Sequence, residues 1–139
     1  MDIRTLTPDY AVSPQISLAD LVAVKAAGYT TVINNRPDVE IPDALRSARM
    51  QAAAAALGLA FVDNPIIPGA LSSQNIAVQR AAMTSAAGPV FAYCASGNRC
   101  SVIWALVHAG QMSADELIGI PARFGYNLEH LRAQLVTRT

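Results

Sequence analysis

A chain of 139 residues carrying ten basic and ten acidic side chains has no formal net charge, and its length suits one domain, 1–139, with a core of useful size. The charges are scattered, which excludes the basic footprint of a nucleic-acid binder and the polybasic patch of a membrane-surface protein. The longest apolar run, Ala52 to Val62, contains Gly58 and is too short to span a bilayer. With two cysteines there is no disulfide framework, and no signal-peptide core follows Met1-Asp2-Ile3-Arg4, so a reducing cytoplasm is the expected location.

In chain order, Ile3 to Leu6 and Tyr10 to Ser13 read as two short strands. Ser17 and Asp20 form a shortened capping box for a helix ending at Gly28. The β-prone run Thr30 to Asn34 follows, and a loop holding Asn35, Arg36, Pro37 and Asp38 leads past Pro42 into an alanine-rich helix that stops at Gly58. Leu59 to Val62 is the next strand. Asn64-Pro65 and Pro68-Gly69 mark an irregular connection, Ser72 or Ser73 caps a helix to about Ala86, and Gly88-Pro89 delivers the strand Val90 to Tyr93. A helix follows Ser113 to about Phe124, with Pro121 as a bend, and another follows Asn127 through Leu128, Leu131 and Leu135. Short strands alternating with helices predict an α/β domain, a central, mainly parallel sheet flanked by helices.

The chemically richest stretch is Tyr93-Cys94-Ala95-Ser96-Gly97-Asn98-Arg99. It places a cysteine between an apolar strand and a glycine-bearing loop that opens the periodic helix of Val102, Ile103, Leu106 and Val107. Free amides at such a helix start favour an anion, either the sulfur itself or a bound oxyanion. A free cysteine has a pKa of about 8.5, whereas catalytic cysteines lie at roughly 3.5 to 7.5. A helix terminus supplies about 0.3–2 kcal/mol, worth about one pKa unit, so a further source of stabilisation is required. Arg99, permanently charged and forked, is the expected source and the expected clamp for a tetrahedral oxyanion.

In α/β sheets, ligands bind at the carboxyl ends of the strands, which groups Asn34 to Asp38, Asp63 to Asn64, and Cys94 to Arg99 around one pocket. A cysteine nucleophile that expels an oxygen leaving group also calls for a general acid, and Asp38 and Asp63 are the candidates. His108 and His130 are too isolated for a metal site, and Trp104 is expected in the core with its N–H seeking a partner. No metal or other cofactor is expected.

Three segments carry a family resemblance: Val12-Ser13-Pro14-Gln15-Ile16-Ser17, then Val32-Ile33-Asn34-Asn35-Arg36-Pro37-Asp38 with Glu40, then Tyr93-Cys94 through Ser96-Gly97 to Arg99 and Trp104-Ala105-Leu106. Together they resemble the phosphatase-like domain that occurs alone or fused in beta-lactamase hydrolase-like proteins, a relative of the dual-specificity tyrosine phosphatases. The resemblance implies a cysteine-phosphatase-like α/β fold with Cys94 as nucleophile and Arg99 as clamp. Substrate contacts are expected from Ala95, Ser96, Gly97 and Asn98 and from Asn35 and Arg36. Asp63, 31 residues ahead of Cys94, stands roughly where dual-specificity enzymes carry their acid, and Asp38 belongs to the family segment, where Arg36 pairs with it or with Glu40.

The chain departs from the wider phosphatase pattern in its loop. Four residues separate Cys94 from Arg99 instead of five, a spacing similar to the persulfide-carrying loop of rhodaneses, and one fewer amide is available to a dianion. Tyr93 replaces the usual histidine, and Cys100 stands where a hydroxyl normally supports the thiolate. If the loop curls as the resemblance implies, Cys100 returns close to Cys94 as a redox or sulfur-transfer partner, or as a small core residue. The leading expectation is therefore a cysteine-dependent phosphatase-like hydrolase acting through a thiophosphate on a small-molecule oxyanion or phosphoester. The alternatives are a sulfurtransferase using a sulfane-sulfur donor and a non-catalytic anion- or partner-binding module.

Overall fold

Five apolar, β-prone runs form one sheet in a computed structural model that describes residues 1–136; the last three positions of the expected 1–139 domain lie outside the described residues. The strands are β1 (Arg4–Thr7), β2 (Tyr10–Ser13), β3 (Thr31–Asn34), β4 (Ala60–Asp63) and β5 (Val90–Tyr93), in the spatial order β1-β2-β5-β3-β4. Only β1 runs antiparallel to its neighbour; the other pairings are parallel. The sheet is thus mainly parallel with β5 at its centre, where both faces are covered and the side chains of all four residues are buried.

Helices α1 (Asp20–Ala26) and α2 (Ser47–Ala56) cover one face, while α3 (Ser73–Ser85), α4 (Asn98–His108), α5 (Ala114–Ala122) and α6 (Arg132–Val136) cover the other. Strand alternation decides which residue meets which layer. Ala11, Val32, Phe91 and Tyr93 pack with Leu21, Val24, Met50 and Ala54 on the α1/α2 side. Val12, Ile33, Ala92, Cys94 and Cys100 pack with Trp104, Leu117, Leu128 and Leu135 on the other. Among the described residues, no helix is long and apolar enough to cross a membrane.

Local signals act where the spacing placed them. Ser17 and Asp20 exchange hydrogen bonds, the Ser17 N–H to Oδ2 of Asp20 at 2.9 Å and the Asp20 N–H to Oγ of Ser17 at 3.2 Å. Ser72 and Asn75 form a reciprocal box at the start of α3, and Ser113 and Glu116 form another at the start of α5. Three helix boundaries differ from the sequence reading, and β1, β3 and β4 each begin one residue later than expected. Pro37 and Pro42, each in extended backbone, introduce single 3-10 turns, so α2 begins only at Ser47. α5 closes at Ala122, with Pro121 in its last turn. Beyond Asn127 a 3-10 turn, Glu129–Leu131, precedes α6. Trp104 is fully buried as expected, but its indole N–H has no hydrogen-bond partner among the described residues.

Candidate active site

The cysteine loop leaves the centre of the sheet and enters α4 through Gly97, whose φ of +95° only glycine adopts readily. Space imposes the same choice, because a Cβ at Gly97 would lie 2.2 Å from the Tyr126 hydroxyl oxygen. That hydroxyl donates to the Ser96 carbonyl at 2.7 Å and accepts from Nη1 of Arg4. Two residues far apart in sequence thus brace the loop from outside. With Ser96 fixed, the Gly97 N–H points at Sγ of Cys94, 3.1 Å away. Of the other expected loop amides, that of Asn98 is taken by Oγ of Ser96 at 3.2 Å.

Cys94 is 1% exposed, and both cysteines are free thiols. Its pKa is held down to about 5, first by a hydrogen bond from the Cys100 thiol and then by the backbone amides of Cys100, Ser96 and Gly97, against burial that pushes it up. Burial, and the hydrogen bond it gives to Cys94, push the Cys100 thiol well above the ordinary cysteine range. A second thiol therefore fills the supporting position after the arginine. The Cys100 carbonyl accepts from Tyr10 Oη at 2.9 Å, and Tyr10 in turn accepts from Nε2 of Gln79.

Arg99 is organised by a carboxylate the sequence reading gave only a scaffolding role. Its Nη1 donates to Oε2 of Glu40 and its Nη2 to Oε1, both at 2.8 Å, while Nη1 also reaches the Ile66 carbonyl at 2.9 Å. Arg36 adds Nε to Oε1 of Glu40 at 3.1 Å and Nη1 to Gln15. Hydrogen bonding from Arg99 first, then Arg36, holds the Glu40 carboxyl below its usual range. A guanidinium has five N–H donors, and among the described residues the Nε–H and the second Nη2–H of Arg99 have no protein partner. These two lie on one edge of the planar group, a fork still open to an oxyanion.

The other expected site residues go elsewhere. Asn35 is 0% exposed and donates to the Asn64 carbonyl and to Oε1 of Gln79, both at 2.9 Å, inside a buried amide network. Asp38 caps α2, accepting from the Ser47 N–H at 2.9 Å and the Ser47 hydroxyl at 3.3 Å. Asp63 accepts from Nδ2 of Asn34 at 2.8 Å. Alternation along β4 puts Asp63 on the side of Phe61, the α1/α2 face, opposite the layer holding Cys94. Both carboxylates act on Tyr93, which points into that same face and whose hydroxyl is driven up chiefly by burial.

Beside Arg99 a cavity of about 370 Å³ is lined by Ile66, Pro68, Gly69, Leu71, Ser96, Asn98 and Val102. A hollow of about 600 Å³ near Thr7, Arg80 and Gln111 lies toward the opposite end of the strands and holds none of these groups. Cys94 itself lines neither hollow: its sulfur lies buried under the braced loop, and the cavity beside Arg99 reaches that loop at Ser96 and Asn98.

Comparison with known proteins agrees with this fold. A beta-lactamase hydrolase-like protein of Xylella fastidiosa (strain Temecula1) is 31% identical over 130 residues, covering 92% of this chain but 30% of the relative, so the chain spans less than a third of that protein's length. The crystal structure of a candidate phosphatase from Neisseria meningitidis is similar over 98% of this chain and 97% of that one, with 31% identity and a TM-score of 0.83. At 10% identity, the catalytic core of the PP-IP phosphatase of S. cerevisiae, solved with citrate, shares the fold over 99% of this chain and 85% of its own, with a TM-score of 0.73. Residues 2–111 match the family model of the phosphatase-like domain of beta-lactamase hydrolase-like proteins, and the chain belongs to that family.

Proposed function

We propose that this domain is a cysteine-dependent phosphatase-like hydrolase acting on a small phosphoester. The observation that carries the reading is the Gly97 N–H aimed at Sγ of Cys94 from 3.1 Å, with the thiol held near 5. In the proposed reaction the Cys94 thiolate attacks phosphorus, an S–P bond forms, and the P–O bond to the leaving group breaks with its electron pair going to oxygen. Water then attacks phosphorus, the S–P pair returns to sulfur, and inorganic phosphate leaves with the water's proton passing to solvent. The open Nε/Nη2 fork of Arg99 holds the phosphoryl oxygens as charge develops, and the amides along Ala95, Ser96, Gly97 and Asn98 join it by exchanging their present partners, Sγ of Cys94 for Gly97 and Oγ of Ser96 for Asn98.

Phosphate release from an aryl phosphate, measured for the native protein beside Cys94→Ser, tests the reading. The expected result is turnover by the first and none by the second; equal turnover removes Cys94 from the mechanism. The Cys100 thiol against Cys94 favours one second reading, a sulfurtransferase that carries a persulfide on Cys94. Thiocyanate formation from thiosulfate and cyanide, without phosphate release from any ester, would put that reading first.

A further inference from the structure

Resting on the reading of Cys94 as the nucleophile, we propose that the site is specific for phosphates whose leaving group departs as an unprotonated anion: acyl phosphates, phosphoanhydrides and esters of acidic phenols, with alkyl phosphates excluded. A cysteine phosphatase that cleaves an alkyl ester needs a general acid against the departing oxygen, a contribution of about 10²–10⁴-fold.

Among the described residues, each carboxyl group near the carboxyl end of the sheet is occupied in a way that keeps it from this task. Asp63 lies on the α1/α2 face, and β3 stands between β4 and the central strand that leads to Cys94, which places β4 about 10 Å to the side at ordinary strand spacing. Asp38 faces the same way and caps α2 through Ser47. Glu40 is on the correct side, but two arginines hold it ionised, and an ionised carboxylate only accepts.

The remaining groups around the loop do no better. The Tyr126 hydroxyl already donates to the Ser96 carbonyl, and burial drives its pKa upward. Cys100 is fully buried beneath Cys94 and pushed upward as well. The segment 64–71, Asn-Pro-Ile-Ile-Pro-Gly-Ala-Leu, runs past Arg99 and carries no titratable side chain. The cavity beside Arg99 is lined by neutral side chains apart from Arg99 itself, which stays charged. His130 lines an adjoining cavity that shares Gly69, Leu71 and Val102 with this one, and it does not line the cavity beside Arg99 itself. A leaving oxygen seated here leaves with its charge.

The test is a leaving-group series. Values of kcat/KM for substituted phenyl phosphates from 4-nitrophenyl to unsubstituted phenyl, with acetyl phosphate and glycerol 2-phosphate, are measured between pH 5 and 9 for the native protein, Cys94→Ser, Asp38→Asn, Asp63→Asn and His130→Gln. The expected result is a steep fall in kcat/KM as the leaving group's pKa rises, amounting to about 10²–10⁴-fold between the most and the least acidic leaving groups, turnover of acetyl phosphate, none of glycerol 2-phosphate, and the same slope in all three acid variants. A shallow slope with glycerol 2-phosphate hydrolysed, still abolished by Cys94→Ser, overturns the specificity while leaving the nucleophile in place. A steeper slope or a lost basic limb in Asp38→Asn, Asp63→Asn or His130→Gln identifies the acid and overturns it too. Activity unchanged in Cys94→Ser, or no phosphate released even from acetyl phosphate, overturns both readings.

Discussion

The two faces of the sheet end in similar polar clusters but use them in opposite ways. On the α1/α2 face, Asp38 and Asp63 satisfy neighbours: one carboxylate closes the first turn of α2, the other receives an asparagine amide. On the α3–α6 face, Cys94 and Arg99 are themselves held by neighbours, the sulfur by Gly97 and Cys100, the guanidinium by Glu40 and Ile66. The first arrangement spends its carboxylates on neighbours, whereas the second leaves the Nε/Nη2 fork of Arg99 unspent. Polar residues at strand ends are thus not equivalent, and parity along the strand separates them.

Substitutions can break that contrast. Gly97→Ala is expected to do the most damage, since a side chain there meets Tyr126 and requires a left-handed backbone worth about 1–2 kcal/mol by itself. Thermal unfolding together with phosphate release should show lower stability and activity reduced by about 10²-fold or more. Glu40→Gln frees Arg99 from its bidentate partner; the expected loss is about 10-fold to 10²-fold in kcat/KM with little change in melting temperature. Equal losses in Glu40→Gln and Asp63→Asn would erase the distinction between the faces.

Cys100→Ala sharpens the electrostatic side of the comparison. Removing the thiol donor should move the pH midpoint of Cys94 alkylation by iodoacetamide upward from about 5, and Cys100→Ser, which keeps a donor, should restore part of the shift. The same group links pH to folding. Its folded pKa of about 5 lies below the roughly 8.5 of an exposed thiol, so the unfolded chain binds the extra proton between these values. The associated stability is complete above the higher value and vanishes as pH drops through about 5; Cys94→Ala should flatten the melting-temperature profile across that window. The smallest effect is expected for Asp38→Asn, which loses cap strength worth about 0.5–1 kcal/mol, read by denaturant midpoint.

Much of this architecture was legible in the residues. Ser17 with Asp20, Ser72 and Ser113 marked helix starts because capping is local chemistry, and the apolar runs marked all five strands. The general rule for ligands at strand carboxyl ends brought three loops together but ignored alternation, although Asp63 shares its parity with Phe61 and Asn34 with Val32. Glu40 was visible as a partner of Arg36, but its grip on Arg99 depends on two turns introduced by Pro37 and Pro42 that no periodicity marks. The brace of Arg4 and Tyr126 joins positions 122 residues apart, beyond the reach of any local pattern.

That brace bears on how the unit can be divided. The family match ends at residue 111, yet Tyr126, Leu117 and Leu128 come later, one touching the loop and the others filling the layer behind it. A fragment trimmed to the matched segment would keep Cys94 and Arg99 but expose hydrocarbon and release the Ser96 carbonyl, so recognisable boundaries and functional boundaries fall at different places in this polypeptide.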